Sequence, residues 1–195
     1  MVSSPLVAIP PSLKITDEQF LQLVRANPEL RMERTATGVL ITMSPTGSEG
    51  GSYNAELTTD LVLWNRRTGL GKTFDSSTGF RLPNGAIRSP DAAWVMKERW
   101  ASLTSEQRQG FAPVCPDFVI ELASPTDSWV ELQAKMQEYV ANGCRLGWLI
   151  EPRAQRVEIY RPDQTVAALE APAELSGEGI LPGLVVSLSG LFEPE

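Results

Sequence analysis

A chain of 195 residues with 42% apolar and 21% charged residues has the balance of an ordinary soluble globular protein, long enough for one sizeable core. Its net charge of −7 argues against a protein that coats nucleic acid non-specifically, though not against a groove that is locally basic. The chain has no histidine, which excludes a Ser-His-Asp triad and a Cys-His pair, and Cys115 and Cys144 are too far apart for a Cys-x-x-Cys pair, so both read as buried thiols rather than zinc ligands.

Residues 1–14 are expected to form an irregular arm. With several prolines and no basic stretch at its start, this arm does not read as a signal peptide, and no apolar run approaches the ~20 residues that a membrane helix needs. The expectation is a cytoplasmic protein with no membrane partner, folded as a single domain over 1–195. Thr16 and Gln19 form a capping box, and Phe20, Leu23 and Val24 give the apolar face of a short helix that Asn27-Pro28 ends. RMERTATGVLITM reads as two strands with a turn around Thr35–Gly38, and SPTG as a turn. A helix is expected from about Gly51 to Arg67, closed by Gly69. Pro83-Asn84-Gly85 is a hairpin turn between FRL and AIR, and a strand starts at Asp91. Residues 97–110 read as a surface excursion with a helical piece at SEQRQ. Asp117–Leu122 is a strand, 127–142 a helix closed by Gly143, and GWLIEP and RVEIYRP two further strands. VAAL and LVVSL add strands before a short tail. This order predicts an α/β (α+β) fold, a mixed sheet with flanking helices, in which 117–150 is a strand–helix–strand crossover with parallel strands.

FVIELASP, residues 118–125, raises the functional question: Glu121 lies inside an apolar strand, where a lone carboxylate is costly unless paired, hydrogen-bonded or bound to a metal. Without histidine, acid–base or metal chemistry must run on Asp, Glu, Lys or Tyr, and the fitting ions are hard and oxygen-liganded, Mg2+ or Mn2+. Asp117 shares a strand face with Glu121 but sits four residues away, about 13 Å at ~3.3 Å per residue, too far to share one ion. Asp91 lies on another strand, and if the two strands are neighbours it can share an ion with Glu121. On the following helix, Trp129, Leu132, Met136, Tyr139 and Val140 form an apolar stripe with Lys135 at its edge, so Lys135 can lean over the sheet, whereas Glu131 and Glu138 lie on the polar side. Simpler readings stand beside these: a salt bridge for Glu121, a turn residue for Asp91, a snorkelling side chain for Lys135. Glu33, in the first strand, and Glu49, ahead of the second helix, are candidate accessory acids, with a surface carboxylate the simpler reading of each.

The order Asp91, Glu121, lysine resembles the PD-(D/E)xK nuclease pattern. SPTG, DSSTGFRLPNGAIRSPDAAWV and PDFVIELASPTDSWVELQAKMQEYVANGCRLGWLIEP resemble, more closely, a restriction-endonuclease-like family expanded in cyanobacteria. The shared motifs are Ser44-Pro45, Gly79-Phe80, Pro90-Asp91, Glu121 with Ser124-Pro125, Lys135 with Tyr139, and Gly143 with Trp148, and the match covers roughly residues 16–188. The resemblance implies a restriction endonuclease-like fold, a divalent metal on Asp91 and Glu121, phosphodiester hydrolysis with DNA as substrate, and Lys135 as the third catalytic residue. The pattern wants lysine two residues after the glutamate; Ala123 stands there, and the family uses the helix lysine instead. A homodimer is expected because cutting both strands of a duplex needs two active sites. A non-catalytic interaction module that retains the fold, and a hydrolase of small phosphorylated molecules, are the alternatives, since fold alone does not choose between them.

Overall fold

The structure is a computed structural model that describes residues 10 and 12–192. The expected irregular arm lies mostly outside the described residues; its last residue, Lys14, bridges to Val39. Helix α1 (Asp17–Ala26) starts at the capping box, with both the Thr16 and the Gln19 side-chain bonds formed, and buries Phe20. Strands β1 (Arg31–Arg34) and β2 (Leu40–Met43) pair antiparallel around a turn in which Gly38 has φ +88°. Helix α2 (Ser48–Thr68) begins three residues earlier than expected and ends at Gly69 in the left-handed region. Gly50 and Gly51 each cost a helix about 1 kcal/mol, but the long apolar face of Leu57, Leu61 and Trp64 anchors the helix and carries them.

Strand β3 (Gly71–Asp75) is followed by the hairpin of β4 (Phe80–Arg81) and β5 (Ile87–Arg88), then β6 (Ala92–Met96). The 97–110 excursion holds two short helices, α3 (Lys97–Ala101) and α4 (Ser105–Gln109), where only the second was expected. Strand β7 (Phe118–Leu122), helix α5 (Trp129–Ala141) and strand β8 (Leu146–Glu151) form the crossover, and β7 pairs parallel to β8. Strands β9 (Arg156–Tyr160) and β10 (Ala167–Glu170) extend the sheet. Strand β11 (Glu174–Ser176), which has no sequence signal, pairs with β12 (Val185–Ser187), and helix α6 (Ser189–Phe192) stands where a tail was expected.

The central sheet is mixed and six-stranded, in the order β10-β9-β8-β7-β6-β3; a four-stranded sheet, β2-β1-β5-β4, and the β11-β12 pair flank it. On one side of the central sheet, Leu57, Leu61 and Trp64 of α2 pack with Trp94, Phe118, Ile120 and Trp148. On the other, Met136 and Tyr139 of α5 pack with Val119, Leu149 and Phe80 from the hairpin. All five residues of β7 are buried, the pattern of a strand covered on both faces. Among the described residues no helix is long and apolar enough to cross a membrane.

Candidate active site

The alternation along β7 sends Phe118, Ile120 and Leu122 into the α2 side of the core and Val119 into the α5 side, and Glu121, two residues on from Val119, meets α5. There its carboxylate, 4% exposed, has partners. Lys135 Nζ lies 2.8 Å from Oε1 and 3.0 Å from Oε2, and the Tyr139 hydroxyl donates to Oε1 at 3.0 Å. Burial pushes the Glu121 carboxyl up to about 8; Lys135 pulls against this, while Asp91 and Glu33 add to it. Desolvation works against the Lys135 charge, but Glu121 and Glu33 outweigh it and hold the ammonium above the usual lysine range.

Strands β6 and β7 are antiparallel neighbours with Ala92 opposite Ile120, so the next pair in the register is Asp91 and Glu121. Asp91 sits just before β6 rather than inside it. Its Oδ2 accepts from the Leu122 N–H at 2.8 Å, and its Oδ1 from Asn54 Nδ2 of α2 at 3.3 Å. Burial raises its pKa, against the Leu122 N–H and Lys135. Asp117 has a different place. At the start of β7 it accepts from the Met96 N–H at 2.8 Å and pairs with Arg99 at 2.9 Å, so it clamps the strand's beginning.

Glu33 corrects a sequence expectation. It is 2% exposed, not a surface acid: Oε1 lies 2.9 Å from Lys135 Nζ and accepts from the Ser89 N–H at 2.8 Å, and Oε2 lies 3.0 Å from Arg88 Nη1. Burial opposes its ionisation, but Lys135, Arg88 and the Ser89 N–H hold its pKa below the usual range. Glu138 is a second correction, because it turns from the polar side of α5 to bind Arg88 Nε at 2.6 Å. The physical reason is the same for both: the four-stranded sheet docks on α5 and encloses acids that local periodicity leaves facing water. Lys135 and Glu138, three residues apart on one helix and opposite in charge, were the available signal. Glu49 lies in the first turn of α2 rather than ahead of it. It is exposed, accepts from the Tyr53 hydroxyl at 3.1 Å, and shares no ion pair or hydrogen bond with Asp91, Glu121 or Lys135 among the described residues.

A groove of about 720 Å³ is lined among others by Arg31, Ser44, Pro45, Thr46, Gly51 and Asn54; Asp91 does not line it, but is hydrogen-bonded by Asn54 in its wall. Asn54 was not singled out in the sequence. Its Oδ1 is buried without a hydrogen-bond partner, an orphaned oxygen beside the Asp91 carboxylate. Two carboxylates on neighbouring strands and this amide oxygen are hard donors of the kind magnesium accepts. Among the described residues no three His, Cys, Asp or Glu side chains are grouped to hold a metal. The donor set therefore fits an ion that takes one or two carboxylates and keeps several waters, as magnesium does, and not an all-protein cage.

Among solved structures, the chain is similar to the crystal structure described as a "putative nuclease belonging to DUF820 from Anabaena variabilis ATCC 29413". The two are 22% identical with a TM-score of 0.76, over 91% of this chain and 97% of that one. At that identity the likeness speaks for the fold alone, a mixed α+β architecture. No curated protein matches. The model of the Uma2 family, described as "Putative restriction endonuclease", matches residues 17–189. With nearly the whole chain matched, the protein belongs to the Uma2 family.

Proposed function

We propose that the protein is a metal-dependent DNA endonuclease that works as a homodimer in the cytoplasm, with Asp91 and Glu121 as metal ligands and Lys135 as the catalytic cation. The observation that carries this reading is the meeting of Asp91 and Glu121 on neighbouring strands with Lys135 on the same carboxylate. Membership of a restriction endonuclease family supports nucleic acid as the substrate.

Asp91 and Glu121 would hold Mg2+ or Mn2+, with the orphaned Asn54 oxygen available as a further donor. When bound, such an ion polarises a phosphoryl oxygen and makes a water more acidic. Lys135 stays charged at any working pH, so it cannot serve as a general base. Its ammonium instead offers fixed positive charge to a phosphorane, or holds the attacking water by donating to it. Tyr139, whose hydroxyl burial keeps protonated, fixes the Glu121 carboxylate by donating to Oε1.

The test is calorimetry of Mn2+ binding to wild type, Asp91→Ala and Glu121→Ala, followed by a cleavage screen. Binding to wild type and loss in both folded variants is expected, with Lys135→Ala cutting cleavage by roughly a hundredfold or more. Wild type that binds no Mn2+ overturns the reading. A second reading, an interaction module that retains the fold, is favoured by one feature: Lys135 and Tyr139 already occupy both Glu121 oxygens. Cleavage by wild type that Asp91→Ala abolishes would end it.

A further inference from the structure

Lys135 is held by two carboxylates, and one of them, Glu33, stands outside the proposed metal-ligand pair. We infer that Glu33 is the positioning residue for Lys135: anchored by Arg88, it holds the ammonium beside the Asp91–Glu121 pair and retains it when Glu121 gives its oxygens to a divalent ion. The second half of this statement rests on the proposed function; the first half does not.

The geometry is a closed ring. From Lys135 on α5 it passes to Glu33 on β1 (2.9 Å), to Arg88 on β5 (3.0 Å), and to Glu138 on α5 (2.6 Å), three residues beyond Lys135. Glu33 cannot swing within this ring, because the Ser89 N–H holds its Oε1 at 2.8 Å. Glu138 is fixed in turn by Asn84 Nδ2, which donates to its Oε1 at 2.9 Å. Three elements from two layers thus converge on one lysine side chain that is only 13% exposed.

Charge makes the ring more than a clamp. Lys135 and Arg88 carry two positive charges, Glu33 and Glu138 two negative ones, so the ring is neutral without Glu121. Asp91 and Glu121 lie outside this balance, and with both ionised, as the proposed metal binding requires, their two negative charges are the amount that a divalent ion cancels. A lysine held by Glu121 alone would be set loose, or left as an unpaired buried charge, once those oxygens went to a cation. Glu33 gives it a carboxylate of its own.

The experiment is reductive methylation of the full-length protein at pH 7.5 without added metal, read lysine by lysine by mass spectrometry. Exposed Lys14, Lys72 and Lys97 serve as internal standards. In wild type Lys135 reacts more slowly than the three standards. In Glu121→Gln it stays slow, because Glu33 still holds it. In folded Glu33→Gln its rate rises by at least about tenfold, and Glu33→Asp restores part of the protection. Reactivity of Lys135 in Glu121→Gln equal to that of the standards overturns the inference, as does unchanged protection in folded Glu33→Gln. Should Glu33→Gln fail to fold, the Glu121→Gln protein decides alone. Neither metal binding nor cleavage enters this readout, so it can fail while the proposed nuclease stands, or hold while that reading fails.

Discussion

At Glu121, a proton and the proposed divalent ion would compete for the same two oxygens. Its pKa of about 8 means that the native protein keeps a proton there between the ordinary carboxylate range and pH 8. Cation binding must expel that proton. Mn2+ affinity should therefore rise by up to about tenfold per pH unit below pH 8 and level off above it, and calorimetry from pH 6 to 9 measures this. Affinity that is flat across the range would show that no proton leaves Glu121 when the ion binds. Stability follows the opposite course. The stabilisation tied to the Glu121 proton is fully present below the ordinary glutamate pKa and is lost as pH rises through about 8. That of Glu33, whose pKa is depressed, is present at neutral pH and is lost as pH falls through its native value. Glu121 and Lys135 were singled out by the apolar strand and helix stripe around them, and Asp91 by its place at the head of another strand and by the resemblance to the PD-(D/E)xK pattern. Arg88, Glu138 and Asn54 were not, and Glu33 only as a candidate accessory acid, because the groups that engage them lie 37 to 102 residues away in the chain.

Helix α5 ties the site to the fold, since Met136 and Tyr139 bury one side of it while Lys135 and Glu138 face the docked strands. Its limits follow from local chemistry: Ser128 accepts from the Glu131 N–H at the N-terminus, and Gly143, at φ +106°, turns the chain away at the C-terminus. A Cβ at Gly143 would meet no atom within 4 Å, so Gly143→Ala reports backbone strain alone. It should cost about 1–2 kcal/mol in a chemical denaturation experiment. No change would mean that the turn relaxes freely. Local signals were weaker where elements are short or start on glycine. Strand β11 has three residues and one buried side chain, Leu175, and exists only because β12 offers it a ladder. The early start of α2 at Ser48 overrides two helix-weakening glycines because its far end is buried.

Across the molecule, a net charge of −7 leaves little long-range attraction for DNA, so the proposed endonuclease would have to draw its affinity from a local groove and from a bound cation. Cutting both strands calls for two sites, and light scattering should find twice the 21.3 kDa chain mass. A monomer that nicks only one strand would refute the dimer. The amino-acid order alone was enough for the helix caps, the hairpin turn and the buried β7 strand, because each depends on neighbours within a few residues. It also removed histidine chemistry outright. Only the tertiary structure could pair β6 with β7 so that Asp91 faces Glu121, and bring β1 and β5 against α5. Register and docking depend on the burial of whole faces, and a buried charge takes its partners from whatever that packing brings within 3 Å. The same packing turned Glu33 from an apparent surface acid into the second holder of Lys135.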